Sequence, residues 1–159
     1  MKHLFCFLIA AAVFSAFASP RVIYRDRSGR VTGTATTNGS ITTYRDSSGR
    51  ITGSSTRSGT RIIYRDQRGK VIGTASQNGS HTTYRDSHGR ISGGATVNGD
   101  QTVYRDRSGR LTGSSRPTGS HITYRDSSGH ITGTLSENSG EDSSIARDGF
   151  FRVNPPSEK

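Results

Sequence analysis

The stretch Ile41-Thr-Thr-Tyr-Arg-Asp-Ser-Ser-Gly-Arg-Ile-Thr-Gly-Ser-Ser-Thr-Arg-Ser-Gly-Thr60 decides the fold, because close variants of it occur six times in succession. Each copy is 20 residues long and contains the triplet Tyr-Arg-Asp. A fixed period of this length predicts a protein built from one repeated supersecondary unit. The copies begin at Arg21, Ile41, Arg61, His81, Gln101 and His121, and repeat positions 1 to 20 are counted from these residues.

Each repeat predicts two short strands and two tight turns. Positions 1–6 are rich in β-branched and aromatic residues, which favour strands, and positions 10–16 predict a second strand. The Asp-x-x-Gly sequence at positions 6–9 is typical of a type I turn, and Asn-Gly at positions 18–19 is a strong hairpin signal. We therefore predict an all-β fold of twelve strands. The tandem 20-residue β-hairpin repeats would form either a curled antiparallel meander or a β-solenoid with one coil per repeat.

The repeat also predicts a strand register. A two-residue Asn-Gly loop would pair position 17 with position 20, which places the invariant Gly of position 13 opposite the Tyr of the next repeat. A Tyr ring over a strand Gly restores contact area that the bare backbone lacks. Side chains alternate along a strand, so positions 11, 13 and 15 predict a narrow apolar face and the Thr and Ser between them a polar one.

The two ends of the chain predict export and a cap. Residues 1–18 have a basic start, an apolar run from Leu4 to Val13 and a small-x-small site at Ala16-Phe17-Ala18, which together indicate a cleavable signal peptide. The apolar run is shorter than the ~20 residues of a membrane span, so we predict no transmembrane span in the mature chain. The repeats occupy 19–140, and 141–159 is predicted to be a C-terminal cap, formed by Phe150 and Phe151, and a frayed tail.

The composition is poor in core-forming residues. Between Arg21 and Gly140 only 25 of 120 residues are apolar, and the whole chain has a formal net charge of +10. Such a composition would ordinarily indicate disorder, but the strict period and the regular glycines favour a folded repeat protein. The single Cys6 lies inside the predicted signal peptide, so no disulfide can support the mature fold.

The pattern Tyr-x-Asp-x-x-Gly-Arg-[Ile/Leu]-Thr resembles the YD repeats of bacterial RHS-type secreted proteins. Two differences are regular: an Arg stands between Tyr and Asp in every copy, and six repeats are too few to build the shell that those proteins form. The resemblance implies a hairpin-repeat architecture and a secreted or periplasmic bacterial protein. The residues that carry it are Tyr44, Asp46, Gly49, Arg50, Ile51 and Thr52, with their equivalents in the other copies.

The basic residues at positions 5 and 10 remain after the structural roles of the repeat are assigned. The Asp of position 6 is most simply a turn former, whereas a regular row of cations could bind anionic polysaccharide, lipid phosphate or nucleic acid. The alternatives are a solvated face that blunts sheet edges, and a structural component that self-associates through those edges. The predicted polyanion-binding residues are Arg25, Arg30, Arg45, Arg50, Arg65, Lys70, Arg85, Arg90, Arg105, Arg110 and Arg125.

No pattern of catalytic residues accompanies the repeats. The sequence contains no carboxylate pair, nucleophile–base set or metal-ligand spacing that departs from the repeat. A calcium site would need several oxygen ligands, whereas each repeat regularly supplies one carboxylate, the Asp of position 6, next to the cationic Arg of position 5. We therefore predict a binding or structural protein without a cofactor or a metal, and no enzyme.

Overall fold

The computed structural model describes residues 21–138 and two short strands at 9–11 and 151–153, with side chains described for 21–137. The predicted cap of Phe150 and Phe151 falls on side chains outside the described residues, as does most of the predicted signal peptide. The strands are β1 (Ile9–Ala11), β2 (Arg21–Asp26), β3 (Val31–Asn38), β4 (Ile41–Asp46), β5 (Ile51–Ser58), β6 (Arg61–Asp66), β7 (Val71–Asn78), β8 (His81–Asp86), β9 (Ile91–Asn98), β10 (Gln101–Asp106), β11 (Leu111–Thr118), β12 (His121–Asp126), β13 (Ile131–Asn138) and β14 (Phe151–Val153).

The strands β2 to β13 form one antiparallel meander that closes into a barrel. Every strand pairs with its neighbours in the chain, and β13 pairs with β2 to complete the ring. The all-β prediction and its meander alternative are confirmed, and the solenoid alternative is wrong because neighbouring strands are consecutive and antiparallel. Separately, β1 and β14 pair antiparallel in a two-stranded sheet.

The closing pair repeats the register of the pairs between successive repeats. Gly133 lies opposite Asp26 and Asn138 opposite Arg21, just as Asn38 lies opposite Ile41. The sixth repeat therefore meets the first one as if the two were consecutive. The twelve-stranded sheet has no free edge, so the predicted self-association through sheet edges loses its structural basis.

The predicted register between repeats is wrong by two residues. Asn38 is the last residue of its strand and pairs with Ile41, so the loop is Gly39-Ser40, and Tyr44 lies opposite Ala35. Gly39 has φ +57, a left-handed conformation that glycine adopts without steric cost. The predicted Tyr–Gly pairing does occur, but within each repeat, where Tyr24 lies opposite Gly33.

A β-bulge in every repeat divides the predicted apolar face. Tyr24 pairs with Gly33, but the next residue, Arg25, pairs with Val31, which leaves Thr32 as an extra residue. The position-11 side chain consequently lies on the outside of the barrel beside the Arg of position 5. The exposed fractions are 47% for Ile51, 51% for Ile91, 45% for Leu111 and 44% for Ile131.

The core is a ring of tyrosines inside the barrel. All six repeat tyrosines are buried, together with the residues of position 15 and those of position 2 except Ile62, which is partly buried. Where position 15 is Ser, it satisfies the Tyr hydroxyl of its own repeat: Tyr44 and Ser55 share a hydrogen bond of 2.8 Å, as do Tyr104 and Ser115. The large Tyr rings thus supply most of the buried contact area in a core that has few aliphatic side chains.

Burial of these tyrosines predicts a distinctive alkaline transition. Removal from water, and then the neighbouring tyrosines, raises the pKa of Tyr44, Tyr64 and Tyr84 well above the ordinary value of 10.0. Because the pKa of each Tyr is higher in the folded state than in the unfolded state, burial of the neutral phenol groups stabilises the fold fully below pH 10. This contribution to stability is lost as the pH rises further. We expect tyrosinate absorbance to stay flat to about pH 11 and then to rise in one step with the loss of the β-sheet circular dichroism signal.

A gradual tyrosinate titration centred on pH 10 with an unchanged β-sheet signal would contradict the buried ring.

Candidate polyanion-binding site

The meander sorts the two kinds of turn to opposite ends of the barrel. All six turns of repeat positions 6–10 lie at one end, and all loops of positions 19–20 lie at the other. We call the first the basic end, formed by positions 5–10, and the second the loop end, formed by positions 16–20 and 1. One residue type at a given repeat position therefore forms a ring around one mouth of the barrel.

The Asp of position 6 organises each turn at the basic end. Asp26 Oδ1 accepts hydrogen bonds from the backbone N–H groups of Ser28 (2.9 Å) and Arg30 (3.0 Å), and all six repeats have equivalent bonds. Gly29 N–H donates to the Asp26 carbonyl at 3.0 Å, and Gly29 has φ +80. This is a type I turn followed by a left-handed glycine, and the predicted turn-forming role of the Asp is confirmed.

Two of these carboxylates illustrate why the acidic charges at this end persist at neutral pH. The Ser28 hydroxyl and the Arg30 backbone N–H lower the pKa of Asp26. At Asp86, partial removal from water opposes ionisation, but the backbone N–H groups of Arg90 and His88 outweigh it and lower the pKa. Asp26 and Asp86 therefore remain ionised at neutral pH, and their negative charges reduce the net positive charge of the basic end.

The Arg of position 5 also has a structural role, which corrects the prediction that this residue is left over once the structural roles of the repeat are assigned. In every repeat its Nη1 donates to the carbonyl of the turn Gly, as from Arg25 to Gly29 at 2.9 Å. A guanidinium has five N–H donors, so this bond leaves donors and the whole charge available. The bond holds the charged group over the turn at a fixed place on the rim.

The residues of position 10 present their side chains to solvent. Their backbone N–H groups bind the turn Asp, while the side chain of Arg90, for example, is 77% exposed and lies 4.0 Å from the Asp86 carboxylate. An exposed ion pair of this kind is weak and easily exchanged for another anion. Within residues 21–137, none of the position-5 arginines forms an ion pair with the adjacent Asp, so no Arg/Asp ladder binds them internally.

The charge is concentrated at one end. Positions 5–10 of the six repeats carry fourteen Lys or Arg against six Asp, a formal net charge of +8 with His neutral. The loop end carries four Arg against Asp100 and Glu137, a net charge of +2. The structure brings all eleven predicted residues together at the basic end. Three more basic residues there were missed, because they do not recur in every repeat: Arg27, Arg68 and Arg107.

Aliphatic side chains, four of them exposed and two half-buried, lie beside the basic rim. The bulge pairs Val31 with Arg25 on the outer surface, and opposed side chains of this kind stand about 5 Å apart. The basic end is therefore bordered by a regular apolar ring, which we call the aliphatic belt. The aliphatic belt consists of Val31, Ile51, Val71, Ile91, Leu111 and Ile131.

The loop end contains the inner residues that break the repeat symmetry. Position 17, which lies just beyond the predicted strand of positions 10–16, is the last inward-facing strand residue and pairs with position 2 of the next repeat. The residue type at position 17 differs in every repeat, and we call this set of residues the variable ring. The variable ring consists of Thr37, Arg57, Gln77, Val97, Pro117 and Glu137.

Comparison with known proteins establishes similarity of fold alone. No protein-family model matches the chain, and no curated protein sequence matches it. A crystal structure of a protein from Arabidopsis thaliana is similar, with a TM-score of 0.51 and 12% identity, covering 76% of this chain and 82% of that one. The described residues include no helix long and apolar enough to cross a membrane. They also include no group of three or more His, Cys, Asp or Glu suited to a metal ion.

Proposed function

We propose that this protein is an exported binding module that docks its basic end on a polyanionic surface. The observation that carries the proposal is the separation of charge, +8 at one end of the barrel and +2 at the other. A surface dominated by one sign raises the local concentration of oppositely charged ligands and steers their approach. A solvated face that served only solubility would not require one end to hold fourteen of the eighteen basic residues between 21 and 138.

The spacing of the basic turns suits an extended ligand. Neighbouring turns at the basic end are two strands apart, or roughly 10 Å along the sheet. This distance is close to the Debye length of ~8 Å at physiological ionic strength, so the fields of adjacent turns overlap. A continuous array of phosphates or sulfates would meet several guanidinium groups at once, whereas a small isolated anion would meet one turn.

Among polyanions, the aliphatic belt favours an anionic membrane surface. Lipid phosphates can pair with the guanidinium groups while side chains such as Ile51 and Ile91 reach the boundary of the acyl layer. Single-stranded nucleic acid is usually held by exposed aromatic side chains that stack on bases. All six repeat tyrosines are buried inside the barrel, so the described surface offers no such platform.

We also propose that the protein acts outside the cytoplasm of a bacterium. The predicted signal peptide at 1–18 and the resemblance to YD-repeat secreted proteins support a location at the bacterial envelope or outside the cell. The alternative of a self-assembling structural component relied on free sheet edges, and the closed barrel has none among β2 to β13.

Vesicle binding tests the proposal. We expect the mature protein to bind phosphatidylglycerol-containing vesicles, to ignore pure phosphatidylcholine vesicles, and to lose affinity steeply as salt rises from low to high concentration. Replacing Ile51 and Ile91 by Ser removes two half-exposed side chains of the aliphatic belt, each able to contribute about 1 kcal/mol on burial in the interface, so vesicle affinity should fall roughly tenfold or more.

Heparin serves as the matched ligand in this experiment, since it presents anionic charge without an apolar layer. The Ile51→Ser and Ile91→Ser variant should bind heparin like the unchanged protein. Equal binding to neutral vesicles, or binding that ignores salt, would contradict the proposal.

A further inference from the structure

The six turns of the basic end are not equivalent, because their sequences alternate from one repeat to the next. Repeats one, three and five each carry an additional Arg at position 7 or 8, whereas the other three have Ser at position 7 and Ser or His at position 8. Three basic residues and one Asp give each odd-numbered turn a formal charge of +2, while repeats two and four have +1 and repeat six has 0 with His neutral. The additional residues are Arg27, Arg68 and Arg107.

The outer wall of the barrel follows the same alternation. Position 3 faces outward, since positions 2 and 4 face the core, and its side chain lies on the same strand face as the Arg of position 5. This half-buried residue is Ile23, Ile63 or Val103 in the odd-numbered repeats and Thr in the even-numbered ones. The outer surface therefore has a period of 40 residues, with one highly charged turn and one additional aliphatic side chain in each unit.

The closed meander spaces the three highly charged turns evenly around the rim. We call them the triply basic turns, and they are Arg25–Arg30, Arg65–Lys70 and Arg105–Arg110. Each is four strands from the next, or roughly 19 Å along the sheet, and the β13–β2 pair gives the third the same relation to the first. This distance is more than twice the Debye length of ~8 Å at physiological ionic strength, so each triply basic turn has to be neutralised by its own ligand group.

The cations of these turns are available to a ligand. Within residues 21–137, the two ion pairs at the basic end are Arg90–Asp86 and His130–Asp126, and both belong to even-numbered repeats. In the triply basic turns the Asp accepts hydrogen bonds from the turn backbone. The position-5 Arg donates one bond to the turn Gly and retains its other N–H donors. Of the nine basic residues in these turns, Arg65 is half-buried and the others are exposed.

We propose that each triply basic turn binds a phosphomonoester headgroup of an anionic lipid, a proposal that rests on the membrane docking proposed above. A phosphomonoester has a charge of about −1.5 to −2 at pH 7 and three strong acceptor oxygens. The charge of +2 and the three cations of a triply basic turn match it, whereas the +1 of repeats two and four matches a phosphodiester. Guanidinium groups bind phosphate oxygens in pairs, which favours the group with more free oxygens.

Binding to vesicles of equal surface charge tests this proposal. Phosphatidic acid presents a phosphomonoester and phosphatidylglycerol a phosphodiester, and each is diluted into phosphatidylcholine to the same surface potential. We expect the mature protein to bind the phosphatidic acid vesicles more tightly, by roughly threefold or more near neutral pH. The ratio of the two affinities should rise as the pH increases from about 6 to about 8, because the phosphomonoester gains its second charge there. The histidines of the basic end can only lose charge over the same range.

Two variants of equal charge identify the turns responsible. Arg27→Ser with Arg107→Ser gives two triply basic turns the residue that the even-numbered repeats have at position 7. Arg50→Gln with Arg90→Gln removes two charges from even-numbered repeats instead. Both lower the formal charge of the basic end from +8 to +6. The first variant should lose most of the preference for phosphatidic acid and the second should keep it, while the two lose similar affinity for phosphatidylglycerol vesicles.

The results separate this inference from the proposed function. Equal affinities for the two lipids at equal surface potential, a ratio that does not rise with pH, or equal loss of the preference in the two variants would each overturn the triply basic turns as phosphomonoester sites. Each of these results would leave the docking of the basic end on an anionic surface intact. Binding to neither lipid would overturn both.

Discussion

Replacing Gly93 by Ala is expected to lower the free energy of unfolding by roughly 3 kcal/mol or more. A Cβ atom at Gly93 would lie 2.5 Å from the backbone carbonyl oxygen of Arg105 on the neighbouring strand. The obstructing atom is backbone within a closed sheet, so it cannot move aside without breaking ladder hydrogen bonds. Gly33 stands in the same relation to the Arg45 carbonyl, so the clash belongs to the repeat.

The adjacent glycine provides the matched control. Gly94 occupies position 14, which faces outward, and its Cβ would lie 3.0 Å from the Thr82 carbonyl oxygen. Gly94→Ser should be nearly neutral in urea unfolding, since the other five repeats place a hydroxyl residue there. Equal losses in the two variants would contradict the close strand approach at position 13. The position-14 residues are Thr34, Ser54, Thr74, Ser114 and Thr134.

A circular permutant should fold as well as the unpermuted barrel. Asn138 and Arg21 stand in the register that a two-residue loop spans elsewhere, so a Gly-Ser link can join them. New termini between Gly79 and Ser80 would open a loop of the same kind. We expect the midpoint of thermal unfolding to stay within about 5 °C of that of an unpermuted chain covering 21–138.

Removing residues 121–138 should have the opposite effect. The shortened chain would lose β12 and β13, so β2 would pair only with β3 and β11 only with β10, and each would have one long edge facing solvent. We expect it to lose cooperative unfolding and to associate as its concentration rises, measured by calorimetry and sedimentation. A monomeric, cooperatively folded truncation, or an unfolded permutant, would contradict the closing role of the β13–β2 pair.

Local features of the fold were predictable from the residues, because they depend on near neighbours in the chain. β-branched residues and Tyr indicated the strands, and Asp followed three positions later by Gly indicated the turn that Asp26 organises. A pairing of Tyr with a strand Gly was also expected, but between successive repeats, whereas Tyr24 pairs with Gly33 within one repeat. Each of these features depends on only a few residues that lie close together in the sequence.

The remaining features depend on the whole sheet. Asn38-Gly39 matches the preferences of a two-residue turn, but the loop is Gly39-Ser40, so the pairing between repeats is shifted by two residues. A choice between these registers requires the core packing of Tyr44 against Ala35, which sequence spacing does not encode. Closure is likewise a property of all twelve strands together.

The candidate site was only partly predictable for the same reason. Positions 5 and 10 could be singled out because their charge recurs, but their collection at one end follows from the meander. Arg27 and Arg107 join the basic end through topology alone. Arg57 could not be recognised as inward-facing until position 17 was known to belong to a strand.

The most direct test of the basic end compares two variants of equal charge. One replaces Arg30, Arg50, Arg90 and Arg110 by Gln at the basic end, and the other replaces Arg21, Arg57, Arg61 and Arg116 at the loop end. Both lower the net charge of residues 21–138 from +10 to +6. Affinity for phosphatidylglycerol-containing vesicles is the quantity measured.

If the basic end is the binding surface, the first variant should lose affinity roughly 100- to 1000-fold, at about 1 kcal/mol for each basic residue near the lipid surface, and the second should change little. Equal losses in the two variants would show that only total charge matters, and would contradict the account.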